Sequence, residues 1–303
     1  MARAAPYTVF DAVLQRKQEL SPHLMRVTLA GPMVAGMATW APDQRVKLFF
    51  PAADGSLARL AHDADWHTGY RSLPLAQRPA MRTYTIRHLR PAQGEVDIDF
   101  VLHGETGPAS RWALYAQPGA SLQIVAPDRR FSAEQTGGFE WKPPMELGQL
   151  LLMADATALP AALGILEELA GQHAPPATQA FFEVQAVADR LPVPQWPGLE
   201  VQWLIRDERA SVAAGMLMVE AVQSAQLPDF NSAVGDPGAL PDIDIDQEIL
   251  WETGSAQGAA FYAWIAGESA AVMSVRKYLV GERQIPRQML NLMGYWRYNK
   301  AGS

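Results

Sequence analysis

The sequence predicts a two-part chain, an all-β first half followed by an α/β second half built on a parallel sheet. Three observations carry this. The chain has 303 residues, which favours two domains over one. Its first half holds six short apolar-alternating runs with no long helix between them. Its second half opens on a continuous apolar run and then alternates helical and strand-like patterns.

The strand-like runs of the first half are residues 7–13, 21–30, 45–51, 82–89, 95–102 and 121–126. They are rich in β-branched and aromatic residues. Gly31-Pro32, Pro42, Pro91 to Gly94, Gly107-Pro108 and Pro118-Gly119 punctuate them. Six such strands predict an antiparallel barrel or sandwich. One short helix is expected over 109–115. In the second half, Gln149 to Ala154 (QLLLMA) has the composition of a strand buried on both faces. A helix is expected over 157–169, with Thr157 as N-cap, Pro160 in its first turn and Gly171 as its stop. Strands over 179–187, 199–205 and 260–266 and helices over 212–224 and 269–280 follow. The boundary falls in the Gly/Pro-rich stretch 137–148, dividing the chain into 1–142 and 143–303.

Hydrophobic residues make up 49% and charged residues 19%, a mixture able to bury a core. No apolar run reaches the roughly 18 residues of a membrane span, and the N-terminus does not read as a signal peptide. There is no cysteine. Thiol catalysis, disulfides and cysteine-held clusters are therefore excluded, redox chemistry must come from an organic cofactor, and a cytoplasmic setting is expected. The net charge of −7 disfavours nucleic acid as a partner. Residues 225–258 hold seven acidic side chains and no basic one, and read as an acidic surface insertion. Residues 276–303 hold six basic side chains against Glu282. That basic end suits an anionic ligand, and equally suits basic decoration of a last helix. The acidic run 242–246 lacks the glycine turn and ligand spacing of a calcium loop, so no metal site is predicted.

Two segments carry chemistry. In Arg82-Thr83-Tyr84-Thr85-Ile86-Arg87, strand alternation puts Arg82 and Tyr84 on one face, a phosphate-binding guanidinium beside a ring that can stack on a flat ligand. Thr85 offers backbone and hydroxyl groups to that ligand's edge. In residues 97–113, a strand runs through His103 and Gly107 into a helix whose first residues include Ala109 and Ser110. The N–H groups of such a helix start form a ready anion site.

RTYTIR, DFVLHGETGPASRWA, ADATALPA (154–161), WIAGE (264–268) and GYWR (294–297), in this order, resemble the siderophore-interacting protein family. These are flavin-dependent ferric-siderophore reductases within the ferredoxin–NADP reductase-like superfamily, and the resemblance spans roughly residues 10–300. It implies an N-terminal Greek-key β-barrel that binds FAD and a Rossmann-like domain for a nicotinamide nucleotide. It assigns Arg82, Tyr84 and Thr85 to the flavin and its phosphate, and His103, Gly107, Ala109 and Ser110 to the FAD diphosphate and adenosine end. It assigns Asp155, Thr157 and Ala158 to the nucleotide turn, and puts Tyr295 and Trp296 near the isoalloxazine. The family usually carries Glu where this chain has Ala156, and G-x-G-x-x-G is absent. Arg206, at the end of a parallel strand, is placed to meet a ribose phosphate, which favours NADPH over NADH; a surface Arg is the commoner explanation of such a residue. Lys47, Arg130, Arg276 and Lys277 resemble the family's basic pocket for anionic ferric chelates.

The resulting expectation is a cytoplasmic, monomeric ferric-siderophore reductase carrying FAD, with NADPH, NADH or a reduced ferredoxin as donor. The alternatives are a general flavin or quinone reductase, and a siderophore-binding protein with a vestigial flavin site.

Overall fold

The computed structural model describes residues 5–52, 54–63, 65–105, 107–230, 250–255 and 260–298. The chain divides into two compact units, one ending at Phe139 and the other beginning at Glu140. Most of the expected acidic insertion lies outside the described residues.

Unit 1 comprises β1 (Tyr7–Ser21), β2 (Leu24–Ala30), β3 (Arg45–Phe50), α1 (Trp66–Ser72), β4 (Ala80–Thr85), β5 (His88–Arg90), β6 (Glu95–Val101), α2 (Pro108–Tyr115), β7 (Ser121–Pro127) and α3 (Ala133–Thr136). The sheet order is β4-β3-β7-β1-β2-β6-β5, with antiparallel neighbours throughout. β4 and β5 stand at opposite ends of that order, yet only Ile86 and Arg87 separate them. The two edges are therefore drawn toward each other, the Ile86 amide donating to Gln44 O at 2.9 Å beside β3 and the Arg87 amide to Asp97 O at 2.9 Å on β6. The sheet curls as an antiparallel half-barrel. The chain leaves β6 beside β2 and returns as β7 between β1 and β3, a Greek-key crossing. The half-barrel interior is filled by alternate residues such as Leu14, Leu29, Leu48, Ile98 and Ile124, all buried. The opposite face of β3 and β7, with Phe49 and Val125, is covered by the segment carrying Leu60, Trp66 and Tyr70.

Unit 2 comprises β8 (Gln149–Asp155), α4 (Leu159–Ala170), β9 (Ala177–Val184), β10 (Leu199–Ile205), α5 (Met216–Ala221), β11 (Trp251–Glu252), β12 (Phe261–Glu268), α6 (Ser269–Arg276) and β13 (Leu290–Trp296). The order is β10-β9-β8-β12-β13-β11, parallel except for β11. The chain runs outward from β8 to β10, then restarts on the other side of β8 at β12. The direction of winding therefore reverses between β8 and β12. Crevices at the carboxyl ends of strands at such a reversal are where α/β folds take ligands.

Several expectations are corrected. α4 begins at Leu159, two residues later than expected, with Ala158 as its N-cap. Thr157 lies in the preceding turn and donates its hydroxyl to Asp155 Oδ1 at 2.6 Å. α5 is shorter than 212–224 because Gly215, at φ +85°, sets its start. The run 82–89 is split, since β4 ends at Thr85 and β5 opens at His88. Among the described residues the last element is a strand, β13, not a helix.

Candidate functional site

The first candidate site is within unit 1. Register pairs Arg82 with Leu48 and Tyr84 with Val46, so both side chains share the face of two interior residues. The Tyr84 ring leans on Phe100 at 4.4 Å between centroids, tilted 37°. Phe100, Phe50 and Trp112 continue that aromatic wall. Burial pushes the Tyr84 phenol well above its ordinary pKa, with Arg82 opposing, so the hydroxyl stays neutral and able to donate. Arg82 donates to Met81 O at 2.8 Å. Thr85, buried, lies on the opposite strand face.

α2 packs on β3, β4 and β6. Gly107, extended at φ −165° and ψ 170°, is its N-cap, and among the described residues no side-chain capping bond is made there. Pro108 takes the first helical position, where a missing N–H costs nothing. Ala109 and Ser110 are buried and small. The start of α2 therefore presents backbone donors to an anion, with a guanidinium and a ring on the neighbouring strand. These residues fit a flavin dinucleotide: donors for a diphosphate and an aromatic seat for a flat ring. His103 is exposed in the loop before α2. Glu105, in the same loop, accepts a short hydrogen bond from the Tyr115 hydroxyl and pairs with Arg111 at 3.4 Å.

The second candidate site is at the carboxyl ends of the parallel strands of unit 2. Asp155 ends β8 and is 4% exposed. Its Oδ1 accepts from the amides of Thr157 (2.8 Å) and Ala158 (3.3 Å), and its Oδ2 from the Trp296 indole N–H at 2.6 Å. Burial raises its pKa; the hydrogen bonds from Thr157 and Trp296 oppose that rise. Gly267 is required opposite it, since a Cβ there would stand 2.8 Å from Asp155 Oδ2. Glu268 ends β12 and accepts from the amides of Ala270 (2.7 Å) and Ala271 (3.0 Å) at the start of α6, and from Tyr298 N at 3.2 Å. Glu183, near the end of β9, accepts from the amides of Gly215 (2.6 Å) and Leu217 (3.1 Å) at the start of α5. Burial holds its pKa above the usual carboxylate range. Sequence reasoning singled out only Asp155 of these three. The missed signal was an acidic residue closing each apolar strand, in LLLMAD, FFEV and WIAGE.

Arg206 stands beside Glu183, its Nε 3.9 Å from Glu183 Oε1, and donates a short hydrogen bond to Gln185. Trp296 closes β13 rather than a helix. Tyr295 stacks on Trp251 at 6.0 Å and 7° and meets Trp264 edge-on.

The four basic candidates differ. Lys47, on β3, is half-buried with Nζ 3.4 Å from Thr83 Oγ1; burial and then Arg45 lower its pKa. Arg130, exposed, is tied to the buried Asp128 by Nε contacts of 2.9 Å. Lys277 is exposed just beyond α6. Arg276 corrects the expectation: it is 1% exposed and held by Glu252, which also pairs with Arg287. Its guanidinium is a packed ion pair, out of reach of a chelate at the surface.

Residues 13–131 match the model of the siderophore-interacting FAD-binding domain, and residues 147–299 match that of the siderophore-interacting protein. The chain is 30% identical over 288 residues to the ferric vibriobactin reductase ViuB of Vibrio cholerae, covering 94% of this chain and 88% of the relative. A siderophore utilization protein from T. fusca superposes with a TM-score of 0.73 at 25% identity, covering 99% and 97% of the two chains. The siderophore-interacting protein SipS from Aeromonas hydrophila superposes at 0.68 with 23% identity, covering 97% and 94%, and shares the fold.

Proposed function

The chain belongs to the siderophore-interacting protein family, and on that premise we propose that it is a cytoplasmic, monomeric FAD-dependent reductase of ferric siderophores. The observation that carries the reading is α2, opening on Gly107 and packed against the strand that holds Arg82 and Tyr84, within the unit that matches the FAD-binding model. FAD, when bound, supplies a two-electron store that can be drawn on one electron at a time, which suits Fe(III).

The chain's own residues bind and orient. In this reading, the amides of Ala109 and Ser110 and the Arg82 guanidinium hold the diphosphate. Tyr84, seated on Phe100, fixes the plane of the ring, and the Thr85 backbone meets its edge. His103 sits at the adenosine end. Lys47, Arg130 and Lys277 supply positive charge for an anionic ferric chelate; Arg276 is left out because it is buried. No acid or base is required of the protein, since the iron changes only its charge. Fe(II) is held less firmly by hard-oxygen chelators and leaves. The donor in this reading is a nicotinamide nucleotide or a reduced ferredoxin.

The test is kinetic. Replacing Lys47 and Lys277 with Ala is expected to raise KM for an anionic ferric siderophore and leave bound FAD unchanged. Added salt is expected to weaken the wild type more than the variant, because screening acts over about 8–10 Å at ordinary ionic strength. Equal KM and equal salt dependence would remove these lysines from the substrate site.

A further inference from the structure

The starts of α2 and α6 are built in opposite ways, and the turn before α4, whose own N-cap Ala158 makes no side-chain capping bond, resembles that of α6 in being held by a carboxylate. α2 opens on Gly107, and among the described residues no side-chain capping bond is made there. At the winding reversal of unit 2, the corresponding positions are filled from within the chain. Asp155 takes the amides of the turn leading into α4, and Glu268 takes those of α6. The end of β13 and the residues after it then seal both carboxylates, through the Trp296 indole on Asp155 and the Tyr298 amide on Glu268.

We infer that Asp155 and Glu268 are specificity-determining residues that keep a nucleotide diphosphate out of this crevice. A nicotinamide dinucleotide is then not held by its diphosphate at β8 and β12. The inference rests on the reading of the chain as a flavin reductase, and decides among that reading's donors.

The physical reason is competition for the same donors. A diphosphate brings at least two negative charges and needs the amides that the carboxylates already hold. Displacing a carboxylate would strand a buried charge, and leaving it in place sets like charges side by side. No cation offsets this among the described contacts of the two carboxylates. The Arg206 guanidinium already stands beside Glu183. The wider field points the same way. Residues 140–303 carry 10 Lys and Arg against 20 Asp and Glu, whereas residues 1–139 carry 15 against 12. An anionic nucleotide approaching unit 2 meets a net charge of −10.

The experiment is calorimetric titration of the FAD-saturated protein with ADP, the saturation keeping ADP out of the flavin site. ADP is expected to bind more weakly than about 0.1 mM. The double variant Asp155→Asn, Glu268→Gln keeps shape and one acceptor oxygen in each side chain but removes both charges. It is expected to bind ADP at least about tenfold more tightly than wild type. A wild-type Kd tighter than that limit, or a folded double variant with no gain, would overturn the inference. If the double variant does not fold, the wild-type titration and Glu268→Gln alone decide by the same criteria. The parent reading is checked separately on the same wild-type sample, with its flavin reduced by dithionite and then mixed with a ferric chelate. Reoxidation with micromolar ADP binding overturns the inference alone. No reoxidation overturns the reading, while the titration still decides whether the crevice excludes a diphosphate.

Discussion

Arg82 and the ladder behind it show how much single residues carry. Arg82→Ala removes a charge-assisted contact in the proposed flavin site, worth roughly 1.5–3 kcal/mol, or about 10–100-fold in FAD affinity. The absorbance ratio at 450 and 280 nm after dialysis reads this, and unchanged flavin retention would remove Arg82 from the site. On the neighbouring strands, Asp97 accepts two bonds from Arg90, at 2.6 and 2.7 Å, and one from Thr28 at 2.8 Å. Burial alone would raise its pKa, but Arg90, His88 and Thr28 together hold it well below the usual range. Glu95, bonded by Arg16 and then Arg90, is held at about 2. Both groups have folded pKa values below their unfolded values, so their stabilisation is full above about pH 4–5 and is lost as pH falls toward 2. Asp97→Asn is therefore expected to flatten the fall of Tm between pH 5 and 2, the sign following from removal of one depressed group. An unaltered slope would show that Asp97 is not the titrating partner.

At the scale of elements, the strands were legible where composition and period agreed. QLLLMA read as a doubly buried strand and is β8, and Leu199–Ile205 matches its expected bounds. β13 was missed because LNLMGYW carries Leu, Met and Asn without alternation, and is fixed as a strand by pairing with β12 and β11. The helix starts of unit 2 were missed for a related reason. A helix was expected to begin on a hydroxyl cap, Thr157, whereas α4 begins after a turn held by Asp155 and α6 is capped by Glu268, both carboxylates at the ends of strands. Their roles depend on which strand ends are neighbours, which only the sheet order supplies. Close approach at this edge gives a packing prediction. Gly267→Ala puts a methyl 2.8 Å from Asp155 Oδ2, and is expected to cost about 1–3 kcal/mol by chemical denaturation. Phe100→Ala, which empties the wall under Tyr84, is expected to cost about 3–5 kcal/mol and to lower bound flavin with it. Full stability in either variant would contradict the packing described.

For the whole molecule, the division into a β unit and an α/β unit follows from pattern alone, and the family resemblance carries the chain from fold to chemistry. The basic candidates show the limit of one-dimensional reading. Arg276 and Lys277 are adjacent in sequence, yet one is buried against Glu252 and the other exposed, because a helix turns successive residues by about 100°. The asymmetry of charge between the units is legible without any structure, and it favours an anion meeting residues 1–139 over residues 140–303. The central claim, electron transfer from bound FAD to chelated Fe(III), is tested most directly by anaerobic stopped flow. The flavin is reduced with dithionite, freed of excess reductant and mixed with a ferric siderophore while absorbance at 450 nm is followed. The account predicts reoxidation that consumes two Fe(III) per flavin and yields Fe(II) trapped by a ferrous chelator. A flavin that stays reduced in the presence of excess ferric siderophore, or a protein that binds no FAD, would contradict it.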